Sequence, residues 1–143
     1  MIKIAGIKKK AAGYFSHRPE IKVGYIFGSR AKGCEGELSD IDIAILIDEE
    51  KVPKDEPYGY KANIITDLMG VFKTGKIDLV ILNESPLFLS FRVIHDGIIL
   101  YSDDEKKRID FEVKIMSRYF DEQYYFKRHA RSTVNRIALE GVL

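Results

Sequence analysis

The chain has 143 residues, of which 45% are hydrophobic and 31% charged, with a formal net charge of +1. That length fits a single domain, and the near-neutral balance argues against a general polyelectrolyte binder, so nucleic acid is not indicated as a partner. No run of eighteen or more apolar residues is present to span a bilayer. Residues 1–10 lack the apolar stretch and cleavage site of a secretory signal, so a cytoplasmic, membrane-free setting is expected. Cys34 is the sole cysteine, which excludes an internal disulfide and a cysteine-based metal site; it reads as an ordinary turn residue.

Ile4, Ile7, Ala11 and Phe15 recur at helical spacing, which predicts an amphipathic helix over roughly residues 3–17, closed by Pro19. Residues 21–27 are mostly β-branched or aromatic around one glycine and end at Gly28, the pattern of a strand entering a tight turn. Residues 39–48 predict a second strand with Ile41, Ile43, Ile45 and Ile47 on one face. A polar connection between Pro53 and Pro57 precedes a helix over 61–72, spaced by Ile64, Ile65, Leu68 and Phe72. Residues 77–82 read as a third, well-buried strand. Ser85 and Pro86 are expected as N-cap and first residue of a helix carrying residues 87–95 and stopping at Gly97. Residues 98–101 suggest a short fourth strand. Ser102, with Asp103 and Asp104, is expected to cap a long helix over about 103–138, with Ile109, Val113, Met116 and Phe120 on one stripe. The order predicts an α+β domain: a mixed sheet of about four strands flanked by helices, with no internal domain boundary over 1–143.

The chemistry concentrates at two places. Asp40 and Asp42 stand two apart at the start of the second strand, so their side chains project from one face with Cα atoms roughly 6.6 Å apart. Carboxylates so placed can converge on one cation or bracket two, and their hard oxygens suit Mg²⁺, which completes its shell with water and substrate phosphates. Gly28-Ser29 follows the first strand directly. The glycine lets backbone N–H groups approach phosphate oxygens, and the serine hydroxyl adds a donor. Arg30 and Lys32 are nearby cations that either neutralise phosphate or point to solvent. Asp78 lies inside the apolar run of the third strand, where an ionised group requires a partner or a metal. If that strand lies beside the second, all three carboxylates line one site. Asp78 then acts either as a base toward an attacking hydroxyl or as a metal ligand that lowers the hydroxyl's pKa. Gly-Ser with two aspartates at these offsets arises by chance in about one chain of this length in several hundred. The combination therefore carries the reading.

Residues 28–33 (Gly-Ser-Arg-Ala-Lys-Gly) and 39–43 (Ser-Asp-Ile-Asp-Ile) closely resemble the core motif of the DNA polymerase β-like nucleotidyltransferase superfamily, in particular its minimal nucleotidyltransferases, the MNT antitoxins of HEPN/MNT toxin–antitoxin pairs. Lys76-Ile77-Asp78-Leu79-Val80 matches the place of that family's third acidic residue, and the resemblance covers about residues 21–101. It implies a nucleotidyltransferase fold and transfer of AMP from ATP to a hydroxyl acceptor with two Mg²⁺ ions. Asp40, Asp42 and Asp78 would be metal ligands and catalytic carboxylates, and Gly28, Ser29, Arg30 and Lys32 would face the phosphates. The resemblance also implies an acceptor, a tyrosine of a cognate HEPN ribonuclease toxin. The chain lacks the Arg-x4-6-His spacing of HEPN ribonucleases and is therefore the MNT half. Two alternatives stay open: transfer to a small molecule or nucleic acid, and an antitoxin that acts mainly by binding its toxin. The C-terminal aromatics Tyr119, Phe120, Tyr124, Tyr125 and Phe126 suit either a partner surface or packing on the sheet or on a second copy, so a homo-oligomer is an open possibility. His17, His95 and His129 have no metal-ligand spacing. Lys8, Lys9 and Lys10, and Lys127, Arg128, Arg131 and Arg136, read as solvated helix faces.

Overall fold

In the computed structural model, residues 4–28, 31, 40–54 and 59–140 are described. The elements run α1 (Ile4–Phe15), β1 (Ile21–Phe27), β2 (Ile41–Ile47), α2 (Tyr60–Phe72), β3 (Ile77–Ile81), α3 (Leu87–Asp96), β4 (Ile98–Ser102) and α4 (Glu105–Glu140). The four strands form one mixed sheet in the order β3-β2-β1-β4, with β1 antiparallel to both β2 and β4 and β2 parallel to β3. The α+β architecture expected from the sequence is the one observed.

Strand periodicity decides what each face of the sheet holds. Ile41, Ile43 and Ile45 of β2 are buried on one face together with Leu79 and Ile81 of β3, under Ile7, Ala11 and Phe15 of α1 and Ile64, Leu68 and Phe72 of α2. The opposite face carries Ala44 with Val23 and Tyr25 of β1, covered by Val93 of α3 and by Phe111 of α4. Gly24 in β1 permits the α1 face to close, because a methyl there would run into the Phe15 ring. Glu20, buried just before β1, accepts from Arg18 Nε at 2.9 Å and Tyr60 Oη at 2.7 Å, which ties α2 to the sheet and satisfies a carboxylate that burial would otherwise penalise. Asn83 mimics a strand at the far end of β2. Its Nδ2 donates to the Ile47 carbonyl at 2.8 Å and its Oδ1 accepts from the Ile47 N–H at 2.9 Å.

Several sequence expectations need correction. The third strand is not well buried: β3 lies at the sheet edge, and Asp78 near its start is exposed. Pro86, not Ser85, caps α3. Ser85 turns its hydroxyl to the Leu82 carbonyl and to Ser90 Oγ. Ser102 belongs to β4, and Asp104 caps α4, its Oδ1 accepting from the Lys107 N–H at 3.2 Å. The largest difference concerns the stripe of α4. Ile109, Val113, Met116 and Phe120 all face solvent, while Phe111, Glu112 and Ile115 face the sheet. The reason is polar: Tyr25 in β1 sends its hydroxyl to Glu112 at 2.9 Å, and Glu112 also receives Arg108 at 3.0 Å, so a hydrogen-bonded trio sets the rotation of the helix.

Tyr25→Phe is accordingly expected to lower stability by about 1 kcal/mol, the usual worth of one such hydrogen bond, while leaving the sheet intact. Urea denaturation checks this, and an unchanged midpoint would show that apolar packing alone seats α4.

Candidate active site

The site forms at the edge of the sheet where β1 ends and β2 and β3 begin. The alternation that buries the isoleucines of β2 turns Asp42 to the opposite face, where it is half-buried. Asp78 is its register partner on β3, and Phe27 of β1 is its partner on the other side. Residues paired across parallel strands share a face at a strand spacing of about 4.8 Å, so the two carboxylates stand side by side. Asp40 is exposed immediately before β2. The Ile41 N–H donates to the Lys76 carbonyl at 2.8 Å, fixing the entry of β2 against the entry of β3. Lys76 was not singled out in the sequence as part of the site. The signal for it was its place two residues before Asp78.

Gly28 closes the arrangement from β1. Its φ of +74° lies in the left-handed region, and a methyl on it would overlap the Asp42 carboxylate. Two independent constraints thus require glycine: the backbone conformation, and the space occupied by an acidic side chain. Ser29, Arg30 and Lys32, like Cys34, lie outside the described residues.

Electrostatically, the site is crowded with like charge. Asp42 is held above the usual aspartate range, first by burial, then by the neighbouring carboxylates of Asp78 and Asp40. A divalent cation among these groups would relieve both causes. Among the described residues, no group of three or more His, Cys, Asp or Glu side chains converges as a self-sufficient metal cage. The 460 Å³ hollow lined by Lys22, Asp48, Asn83, Lys107 and Asp110 lies at the other end of β2 and contains none of the three aspartates.

A glycine turn at the end of one strand meets paired carboxylates at the start of two neighbours, on the fold of a nucleotidyltransferase. The family profile "Polymerase beta, Nucleotidyltransferase" matches residues 9–106, and the chain belongs to that family. It is 31% identical over 119 residues to the protein adenylyltransferase MntA of Aphanizomenon flos-aquae, covering 79% of this chain and 78% of that protein. Among solved structures, it resembles a toxin–antitoxin crystallised with AMP-PNP, at a TM-score of 0.67 and 23% identity, covering 89% of this chain and 98% of the other. It also resembles the complex of a tri-AMPylated Shewanella oneidensis HEPN toxin with its MNT antitoxin, at a TM-score of 0.62 and 21% identity, covering 89% and 95%. At those identities the structures support the fold. Among the described residues, no helix is long and apolar enough to cross a membrane.

The raised pKa of Asp42 makes a signed prediction. A carboxyl whose folded pKa exceeds its unfolded one binds protons more tightly when folded, so stability falls as pH rises through the folded value. Asp42→Asn removes that loss. Its thermal midpoint at neutral pH is expected to rise. The difference should vanish below the unfolded aspartate pKa, where both side chains are neutral. Scanning calorimetry across pH checks the sign, and an Asp42→Asn midpoint below that of the native chain at neutral pH would contradict it.

Proposed function

We propose that this chain is a protein adenylyltransferase that moves AMP from ATP to a tyrosine hydroxyl of a HEPN-type toxin, and so acts as the antitoxin of a pair in the cytoplasm. The observation that carries the reading is the alignment of Asp42 and Asp78 across β2 and β3 with Gly28 packed against them. The 31% identity to a protein adenylyltransferase over most of both chains supports the choice of protein as acceptor.

In this reading, Asp40 and Asp42 would hold two Mg²⁺ ions, with Asp78 as a third ligand, and ions held there would orient a triphosphate and stabilise charge that develops in an in-line displacement. The chain's own groups do the remainder. Gly28 keeps the turn free of side-chain bulk so that backbone N–H groups reach phosphate oxygens, with the Ser29 hydroxyl beside them and Arg30 and Lys32 as balancing cations. The acceptor oxygen forms a bond to the α-phosphorus as the bond to the bridging oxygen breaks, and pyrophosphate leaves. Asp78, exposed at the edge strand, either receives the hydroxyl proton or acts as a metal-linked ligand that lowers the hydroxyl's pKa.

Incubation with the toxin and α-labelled ATP in the presence of Mg²⁺ is expected to label the toxin, and Asp40→Ala with Asp42→Ala to abolish the label. Label that survives the double substitution would remove the metal-site assignment. For Asp78→Asn, the turnover should fall by about 10²–10⁴-fold with loss of the acid limb of the pH–rate profile. A uniform fall across pH would leave Asp78 as a ligand instead of a base. A toxin silenced equally well without ATP and by the carboxylate-free variant would favour neutralisation by binding.

A further inference from the structure

Helix α3 lies on the face of the sheet toward which Asp42 and Asp78 project, with Val93 buried in one cluster with Val23, Tyr25 and Ala44. One flank of the helix is taken by α4. Leu87 and Ser90 line a hollow with Phe111 and Ile115, and the Phe91 ring stacks on Tyr119 with centroids 3.7 Å apart. The other flank is marked by Leu89, which lines a small hollow with Val80 and Ile81 of β3. At spacings of three and four, Arg92 and Asp96 follow Leu89 along that flank.

The direction of α3 decides where Arg92 stands. The helix runs toward the end of β1, since a methyl on Gly97, just past its last turn, would come within 3.1 Å of the Ile26 carbonyl oxygen. That is the end of the sheet at which β2 and β3 begin and Gly28 packs on Asp42. From Val80, one step of two residues toward that end is Asp78; from Leu89, one helical turn toward it is Arg92. The helix thus carries Arg92 to the Asp78 side of the carboxylate cluster. There it is exposed and forms no ion pair with a described residue. Asp96, one turn further along the same flank, lies 2.8 Å from His95 Nδ1.

We propose that Arg92 binds the α-phosphate of the nucleotide, the group at which transfer occurs. The inference rests on the reading of the site as a nucleotidyl-transfer centre. In that reading the triphosphate extends from the Gly28 turn across Asp42, and the acceptor hydroxyl meets the α-phosphorus on the Asp78 side, which is where Arg92 stands. A guanidinium presents a planar fork of donors that matches two phosphate oxygens. Its charge offsets the charge that builds on the non-bridging oxygens as the acceptor oxygen bonds to phosphorus and pyrophosphate leaves. The Gly28 turn lies on the β1 side of β2 and Arg92 on the β3 side, so the two would hold the row of phosphates from opposite ends.

The test measures nucleotide binding by the full chain alone, with Mg²⁺ and without toxin. Arg92→Ala should weaken ATP binding by about 10–100-fold, the worth of a hydrogen bond to a charged group, and ADP binding by the same factor, because both carry the α-phosphate. Arg92→Lys should recover part of the loss, since it keeps the charge without the fork. The thermal midpoint of the nucleotide-free chain should not move, because the side chain is exposed. Unchanged affinity for both nucleotides in Arg92→Ala overturns the proposal. So does a loss confined to ATP, which would place Arg92 at the γ-phosphate. Normal nucleotide binding with loss of toxin labelling would give Arg92 to the acceptor and equally overturn it. A native chain that binds neither nucleotide would overturn the reading of the site itself.

Discussion

The arrangement turns on a repulsion. Asp42 and Asp78 are set in register on adjacent parallel strands, with Asp40 close by, and burial together with these neighbours pushes the Asp42 carboxyl toward its neutral form. A fold selected for stability alone would not place like charges there, because each costs free energy that a neutral residue would not. In the proposed reading the cost would be offset when a divalent cation and a triphosphate enter, since the same groups would then supply oxygens to the ion.

The remainder of the sheet holds this geometry. Three isoleucines of β2 locked beneath α1 and α2 prevent the strand from rotating and so fix the direction of Asp42. The hydrogen bond from Ile41 to Lys76 aligns the strand entries, and Gly28 leaves the space that the Asp42 carboxylate fills. Each of these is a constraint on position, and positioning is what transfer at phosphorus demands most from a protein. Helix α4 is seated by a separate device, the Tyr25–Glu112–Arg108 trio, which joins it to β1.

Much of this could be read from residue pattern. The alternation of isoleucine with aspartate in β2 predicted both the buried face and the direction of the carboxylates, and the helical spacing of α1 and α2 predicted the residues they bury. Failures arose where a local signal had two physical outcomes. The apolar run around Asp78 fits a central strand or an edge strand equally, because sequence does not reveal which neighbours pair with it. The stripe Ile109-Val113-Met116-Phe120 is the most regular apolar pattern in the chain, yet it faces outward. A hydrogen-bonded Tyr25 distant in sequence sets the helix rotation, and no periodicity within α4 contains that information. Ser102 and Ser85 fit capping patterns that Asp104 and Pro86 satisfied instead.

The account stands on the three aspartates forming one cation-dependent centre. Anomalous scattering from a crystal grown with Mn²⁺ and a non-hydrolysable ATP analogue tests this most directly. The predicted result is metal density in contact with Asp40 and Asp42, with Asp78 on its open side and the phosphates reaching it from the Gly28 turn. Metal bound elsewhere, for instance in the acidic hollow around Asp48 and Asp110, with these three side chains uncoordinated, would contradict it.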